Sequence, residues 1–384
     1  MRLVVVGALL SLAVNASAAG QLGLEPTRPA ASTSAADVQA LLAEGIALHD
    51  KSDFDGAIKK YRQALDLDPE NPKVLYEMGL SQYSKQDLEA ARATAVRAIT
   101  AKGARRDAWV LLGNIYDDLG DSTRAVEIYA QGIEKYFDVY LLHFNLGAAY
   151  RRLGKLALAR ACLENSVSLE PGHASSHLYL GRNYMEEGYR VPAILSLTRF
   201  LFLEGDTNRS ASVIGWLDEI FRTGVKEDSK NHITITMDPK APKDEGDFSG
   251  ADLIVSMAQI SQHLIPEAGG KLQGPPELDR LATVLAVVGE LGEKESSKGF
   301  AAEYYVPLLA DLSRRHLTAA YAAVALRSLK SSPFEAWTTE HRGEMNDVLK
   351  LVAAYRWPQI RTAMPEFLTP KPELTATPTP SKTN

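Results

Sequence analysis

Between residues 38 and 207 the apolar positions recur at helical spacing, and turn signals cut them into units of equal length. Gly45, Gly79, Gly113, Gly147 and Gly181 follow one another at 34-residue intervals, and so do Ala57, Ala91, Ala125, Ala159 and Ala193. Each of these glycines interrupts an apolar helical pattern, where Gly costs about 1 kcal/mol relative to Ala. Gly120, Gly154 and Gly188 stand seven residues further on and suit a left-handed helix end. Pro69 and Pro171 stop the second helix of their units. A fixed period of this length predicts a helix-turn-helix repeat. The glycine lies on the first helix and the alanine on the second, so that the two backbones approach closely.

The repeats fall at 38–71, 72–105, 106–139, 140–173 and 174–207. Gly215 continues the series, but no second helix follows it. The stretch "SASVIGWLDEIFRTG" predicts a capping helix over 208–224, with Val213, Trp216, Leu217 and Ile220 on one side. Past residue 224 the period is lost. "HITITM" (232–237) alternates as a strand does. Helices are expected in "GADLIVSMAQISQHL" and "PPELDRLATVLAVVGELG", two more in 301–329 divided near Ser313, and a last one from Pro333 that Pro358 stops. The fold class is therefore mainly all-α: a right-handed α-solenoid, followed by a mostly helical domain over 225–365 with at most a minor strand.

Two units, "AWVLLGNIYDDLGDSTRAVEIYAQGI" (108–133) and "HFNLGAAYRRLGKLALARACLENSVSLEP" (143–171), resemble the tetratricopeptide repeat family. Trp109, Leu112, Gly113, Tyr116, Ala125 and Tyr129 match that family's Trp, Leu-Gly, Tyr, Ala and aromatic positions. The resemblance implies that the first helices line a concave groove for an extended or helical peptide. By repeat position the groove residues are Tyr76, Leu80 and Tyr83, then Asn114, Asp117 and Asp118. The fourth repeat offers Phe144, Asn145, Arg151 and Arg152, and the fifth Tyr179, Arg182 and Met185. Members that grip a C-terminal carboxylate use a Lys and an Asn in the first repeat; Leu42 and Ile46 stand there in this chain.

The two ends differ from the middle. "MRLVVVGALLSLAVNASAAG" has one charge, an apolar run from Leu3 to Val14 and a small-x-small site at Ala16-Ser17-Ala18. It predicts a cleaved signal peptide over 1–18 and an exported chain, periplasmic or secreted, with no stable transmembrane anchor left after cleavage. A flexible linker is expected over 19–37, and a disordered Pro/Thr-rich tail over 366–384. The chain has 384 residues and a net charge of -6, which gives no electrostatic footprint for nucleic acid.

Candidate chemistry is sparse. None of the eight histidines stands in a His-Glu-x-x-His pattern. Cys162, the only cysteine, reads as a small buried hydrophobe. "EAGGKLQG" (267–274) lacks the Gly-Lys-Ser/Thr ending and the preceding strand of a phosphate loop. Asp244, Glu245, Asp247 and Asp252 do not follow calcium-loop spacing. Trp337, Trp357, Tyr304 and Tyr305 read as core. No catalytic residues, metal or cofactor are expected. The favoured reading is an exported scaffold that binds a protein or peptide partner; the alternatives are an enzyme site, or a polymer-binding module, in 225–365.

Overall fold

A computed structural model describes residues 30–227, 233–236, 242–267, 274–294 and 298–363. The expected signal peptide, the expected tail and residues 268–273 of the glycine-rich segment lie outside the described residues. The repeats form five antiparallel helix pairs: α1 (Ala30–His49) with α2 (Phe54–Leu67), α3 (Pro72–Ser84) with α4 (Leu88–Thr100), α5 (Arg106–Asp118) with α6 (Ser122–Lys135), α7 (Tyr140–Arg152) with α8 (Leu156–Leu169), and α9 (Ala174–Glu187) with α10 (Arg190–Glu204). Helix α11 (Asn208–Arg222) follows, then an antiparallel ribbon of β1 (Val225–Glu227) and β2 (Ile233–Ile235), in which Lys226 faces Thr234. Helices α12 (Ser249–Glu267), α13 (Pro276–Lys294), α14 (Phe300–Arg314), α15 (Thr318–Ala325), α16 (Ser332–Glu340) and α17 (Arg342–Ala354) complete the chain.

Local chemistry sets the repeat boundaries. Asp53, Asp87 and Asp121 stand at the N-caps of α2, α4 and α6, and each carboxylate accepts the amide N–H three residues on. Such a cap is worth about 1 kcal/mol over Ala. The same position in the next two repeats holds Lys155 and Tyr189, which make no side-chain cap bond. The turn between paired helices has one residue with positive φ: Ser52 and Gln86 in the first two repeats, then Gly120, Gly154 and Gly188. The last three are the expected turn glycines.

The helix glycines sit in tight contact for a reason that differs from the expected one. The five alanines at the second position are fully buried, yet the nearest atoms to most of the glycines belong to the residue sixteen positions on. A Cβ on Gly147 would stand 2.8 Å from Leu163 Cγ, and one on Gly181 2.6 Å from Leu197 Cδ2. In the first and third repeats the residue in that place is Tyr61 or Tyr129. The glycine thus makes room for a large side chain of the second helix. Gly215 has no heavy atom of a neighbour within 4 Å of its would-be Cβ, since no such helix faces it.

Three further expectations are corrected. Helix α1 begins at Ala30, inside the expected flexible linker, where the Ala-rich run favours helix. The helix expected from Pro333 to Pro358 is two, α16 and α17, divided at His341. The turn to Trp357 starts at Tyr355, three residues before the proline.

The largest departure concerns the region after residue 224. One core cluster runs without interruption from Leu163 and Val167 of the fourth repeat, through α9, α10 and α11, to Val348 and Val352 of α17. Helix α15 packs on α10, and α12 and α14 touch it as well. Every residue of α10 from Val191 to Phe202 is buried, and α8 is buried continuously from Ala161 to Ser168. By contrast α2, α4 and α6 bury only a stripe. The outer sides of repeats four and five are covered by sequence beyond residue 224, by helices over α10 and largely by loop and extended segments over α8.

Candidate interaction surface

The first-helix face is linked from repeat to repeat. Tyr83 Oη donates to Asp118 Oδ2 at 2.5 Å, joining α3 to α5. Burial and this carboxylate push the Tyr83 phenol up to about 12. Tyr129 Oη, from α6, donates to Asn114 Oδ1 at 2.7 Å, and Asn145 Nδ2 of α7 donates to the same oxygen at 2.7 Å. Arg152 pairs with Asp117 at 2.5 Å. Arg151 reaches Glu186 at 2.5 Å and Asn183 Oδ1 at 3.3 Å, joining α7 to α9. Arg105 lies over the Tyr76 ring, 4.9 Å from its centroid.

The structure therefore brings the expected groove residues together, but most of their polar atoms are already engaged with one another. Leu80 is partly buried against the core of the second and third repeats. Arg151, expected to face a partner, is only 9% exposed at its side chain and is held by Glu186.

The last repeat is different. Phe144 and Tyr179 meet edge to face, with centroids 5.1 Å apart, and both are partly exposed. One turn along α9, the exposed Arg182 lays its guanidinium over the Trp216 ring, 5.2 Å from the centroid. Among the described residues Arg182 has no carboxylate partner. Met185 lies beyond it, partly buried against the same core. This end of the face presents aromatic surface beside an uncommitted cation. Trp216 was expected as a capping contact; its place 34 residues after Arg182 already aligns the two on successive first helices.

A second polar assembly lies on the other side of repeats four and five, and the sequence reading missed it. Arg160 of α8 is 15% exposed at its side chain, and its guanidinium meets Glu245, Asp244 at 3.0 Å and Glu187 at 3.2 Å. Tyr184 Oη donates towards Glu245 Oε2 at 3.1 Å and Glu164 Oε1 at 3.3 Å. Glu245 Oε2 also accepts the Ala301 N–H at 3.1 Å, so a carboxylate faces the positive N-terminus of α14. Burial, with the neighbouring Glu245, pushes the Glu164 carboxyl well above the ordinary range. Burial opposes the Arg160 charge, but Glu187, Glu245 and Glu164 outweigh it and raise its pKa. Asp244 and Glu245 of the acidic loop are thus ion-pair partners of a repeat arginine. Cys162, next to this cluster, is fully buried, which raises its pKa and leaves the thiol unreactive. Tyr304 and Tyr305 are core, as expected.

Comparison with known proteins bears on the repeats. Family models of the tetratricopeptide repeat match residues 45–91, 76–138 and 140–173. These stretches are tetratricopeptide repeats. The chain is 26% identical over 143 residues to the probable UDP-N-acetylglucosamine--peptide N-acetylglucosaminyltransferase SPINDLY of Hordeum vulgare, covering 35% of this chain and 15% of that protein. It is 33% identical over 75 residues to the human N-alpha-acetyltransferase 16, NatA auxiliary subunit, covering 20% of this chain and 9% of that one. Both matches thus span a small part of the relative. Among solved structures, pilF of Pseudomonas aeruginosa aligns over 50% of this chain and 87% of its own, at 18% identity and a TM-score of 0.46.

Proposed function

We propose that this chain is an interaction scaffold that takes a protein or peptide segment along the first-helix face of its repeats, anchored at the end formed by Phe144, Tyr179, Arg182 and Trp216. One observation carries this reading. Along a face where Arg151 and Arg152 are paired with Glu186 and Asp117, Arg182 is exposed, stacked on Trp216 and free of a carboxylate among the described residues. Aromatic and Arg side chains are the usual anchors of such contacts. An acidic group on the partner would complete the ion pair, with an apolar side chain against Phe144 and Tyr179. The expected leader at 1–18 adds export to this proposal, so the partner would be met outside the cytoplasm.

The test is crosslinking and pull-down from native extract with the wild type and with Arg182→Glu, Trp216→Ala and Phe144→Ala. Loss of a common partner from all three, with circular dichroism unchanged, supports the reading. Recovery of the same partners at the same yield by all three would overturn it. Fractionation with intact-mass analysis tests export: a full-length cytosolic chain beginning at Met1 counts against it.

A further inference from the structure

Residues 356–363 leave α17 and cross the outer side of α8 without helix or strand pairing. From Pro358 on their burial alternates: Pro358, Ile360 and Thr362 turn inward, whereas Gln359, Arg361 and Ala363 are exposed. This is the period of an extended peptide laid on a surface.

What holds the main chain there is a set of side chains. Asn165 reads both groups of one residue: its Nδ2 donates to the Thr362 carbonyl at 2.9 Å, and its Oδ1 accepts the Thr362 N–H at 3.1 Å. One turn away, Ser168 Oγ accepts the Ile360 N–H at 2.7 Å and lies 3.4 Å from the Pro358 carbonyl. Thr362 Oγ1 donates to Glu164 at 2.8 Å. Trp357 is stacked on Tyr304, centroids 4.9 Å apart, and Arg199 lies 4.5 Å from its ring centroid on α10. Asn165 and Ser168 are almost completely buried beneath the segment. An amide that reads both main-chain groups of an extended residue recognises peptide backbone in general, and an aromatic slot beside it fixes the register.

We propose that the outer side of α8 is a peptide-recognition site, separate from the first-helix face. Its ligand class is an extended segment with an aromatic first residue and a hydroxyl residue five positions later. The chain's own 357–362 fills it in cis. Because the hydrogen bonds go to side chains of α8 and not to a sheet ladder, the segment is exchangeable. A tethered ligand has an effective concentration in the millimolar range, so the intact protein resists an added peptide until the tether is weakened.

The probe is a fluorescein-labelled peptide with the sequence of residues 355–364, titrated against full-length protein by fluorescence anisotropy. Wild type should bind it weakly. Trp357→Ala, which loosens the cis segment and leaves Asn165 and Ser168 in place, should bind it at least tenfold more tightly. Adding Asn165→Ala to that variant should abolish the gain, and so should N-methylation of the peptide at the amides of Ile360 and Thr362. A folded Trp357→Ala protein with no gain, or a gain that survives Asn165→Ala, would overturn the proposal. If Trp357→Ala does not fold, hydrogen exchange of wild type against Asn165→Ala decides. The Thr362 amide should then exchange at least tenfold faster while α14 is unchanged; equal protection at Thr362 would reject the site.

Discussion

The ring of Tyr129 fills the space in front of Gly113, so that a Cβ on residue 113 would overlap the ring carbons. The ring cannot swing away, because Tyr129 is fully buried and its hydroxyl is tied to Asn114 and Asp117. In the second repeat the residue matching Tyr129 is Ala95, and a Cβ on Gly79 would meet the Leu111 side-chain tip at 3.3 Å, with Ala95 N and the Thr94 methyl at 3.7 Å.

The two glycines should therefore respond in opposite ways. Gly113→Ala is expected to destabilise the protein by about 1–3 kcal/mol through overpacking. Gly79→Ala should be neutral or stabilising by up to about 1 kcal/mol, through helix propensity and reduced freedom of the unfolded chain. Urea unfolding of both variants against wild type measures the difference, and equal losses would refute the pairing of glycine with residue i+16.

Arg160 and Arg124 separate buried from surface charge. Arg160→Met leaves Glu245 without its cation in a buried setting and should cost about 3–5 kcal/mol. Arg124→Ala, which breaks an exposed pair with Glu127 at 2.7 Å, should cost less than about 0.5 kcal/mol. Thermal melts of the two single variants provide the comparison.

Asp252 gives stability a pH dependence. Burial pushes its carboxyl up to about 6, with Arg190 partly opposing the shift. The folded chain then binds this proton more tightly than the unfolded chain does. Its contribution is full below the ordinary range near 4 and is lost as the pH rises through about 6. The loss is at most about 3 kcal/mol, from 1.36 kcal/mol per pKa unit. Asp252→Asn should remove this component. Denaturant midpoints at pH 4 and pH 7.5 should fall less in Asp252→Asn than in wild type, and parallel curves would exclude Asp252 as the source.

A fragment of residues 30–224 keeps every repeat and α11 but uncovers the side of α10 against which α12, α14 and α15 packed, including Phe202, whose ring stacks on Tyr321 of α15 with centroids 4.8 Å apart. It should bind an apolar dye and self-associate on size exclusion at concentrations where the full chain is monodisperse. A dispersed fragment with full-chain stability would show that the later helices contribute nothing to the fifth repeat.

The repeats were legible because each unit restates the same few features: a helix glycine, a buried alanine twelve residues on and a turn residue with positive φ. The β1 half of the ribbon and the break at His341 were not, since three strand residues and one capping turn carry no period. The covering of α10 had a signal that the 34-residue register hid. "RVPAILSLTRFLFLE" has no polar face, and a helix apolar all round is buried all round. On the first-helix face, the register picked out Asp117 and Arg152 but was silent on their pairing. For Tyr83, Asn145 and Arg152 the partner is another groove residue, Asp118, Asn114 or Asp117, 31 or 35 positions away. For Arg160, the acidic loop that binds it lies 84 and 85 residues downstream, where no local pattern points to it.

The double covering of α8 and α10 fixes where this array could have grown. Among the described residues, the helices of repeats one and two pack chiefly on other repeat helices, so a unit gained or lost there leaves the contacts of the later helices in place. A unit gained between α7 and α10 would carry Arg160 or Arg199 away from Glu245 or Trp357, partners set at a fixed place by sequence outside the series. Length variation among descendants of such a chain belongs at its N-terminal end, with the other end held to a single register.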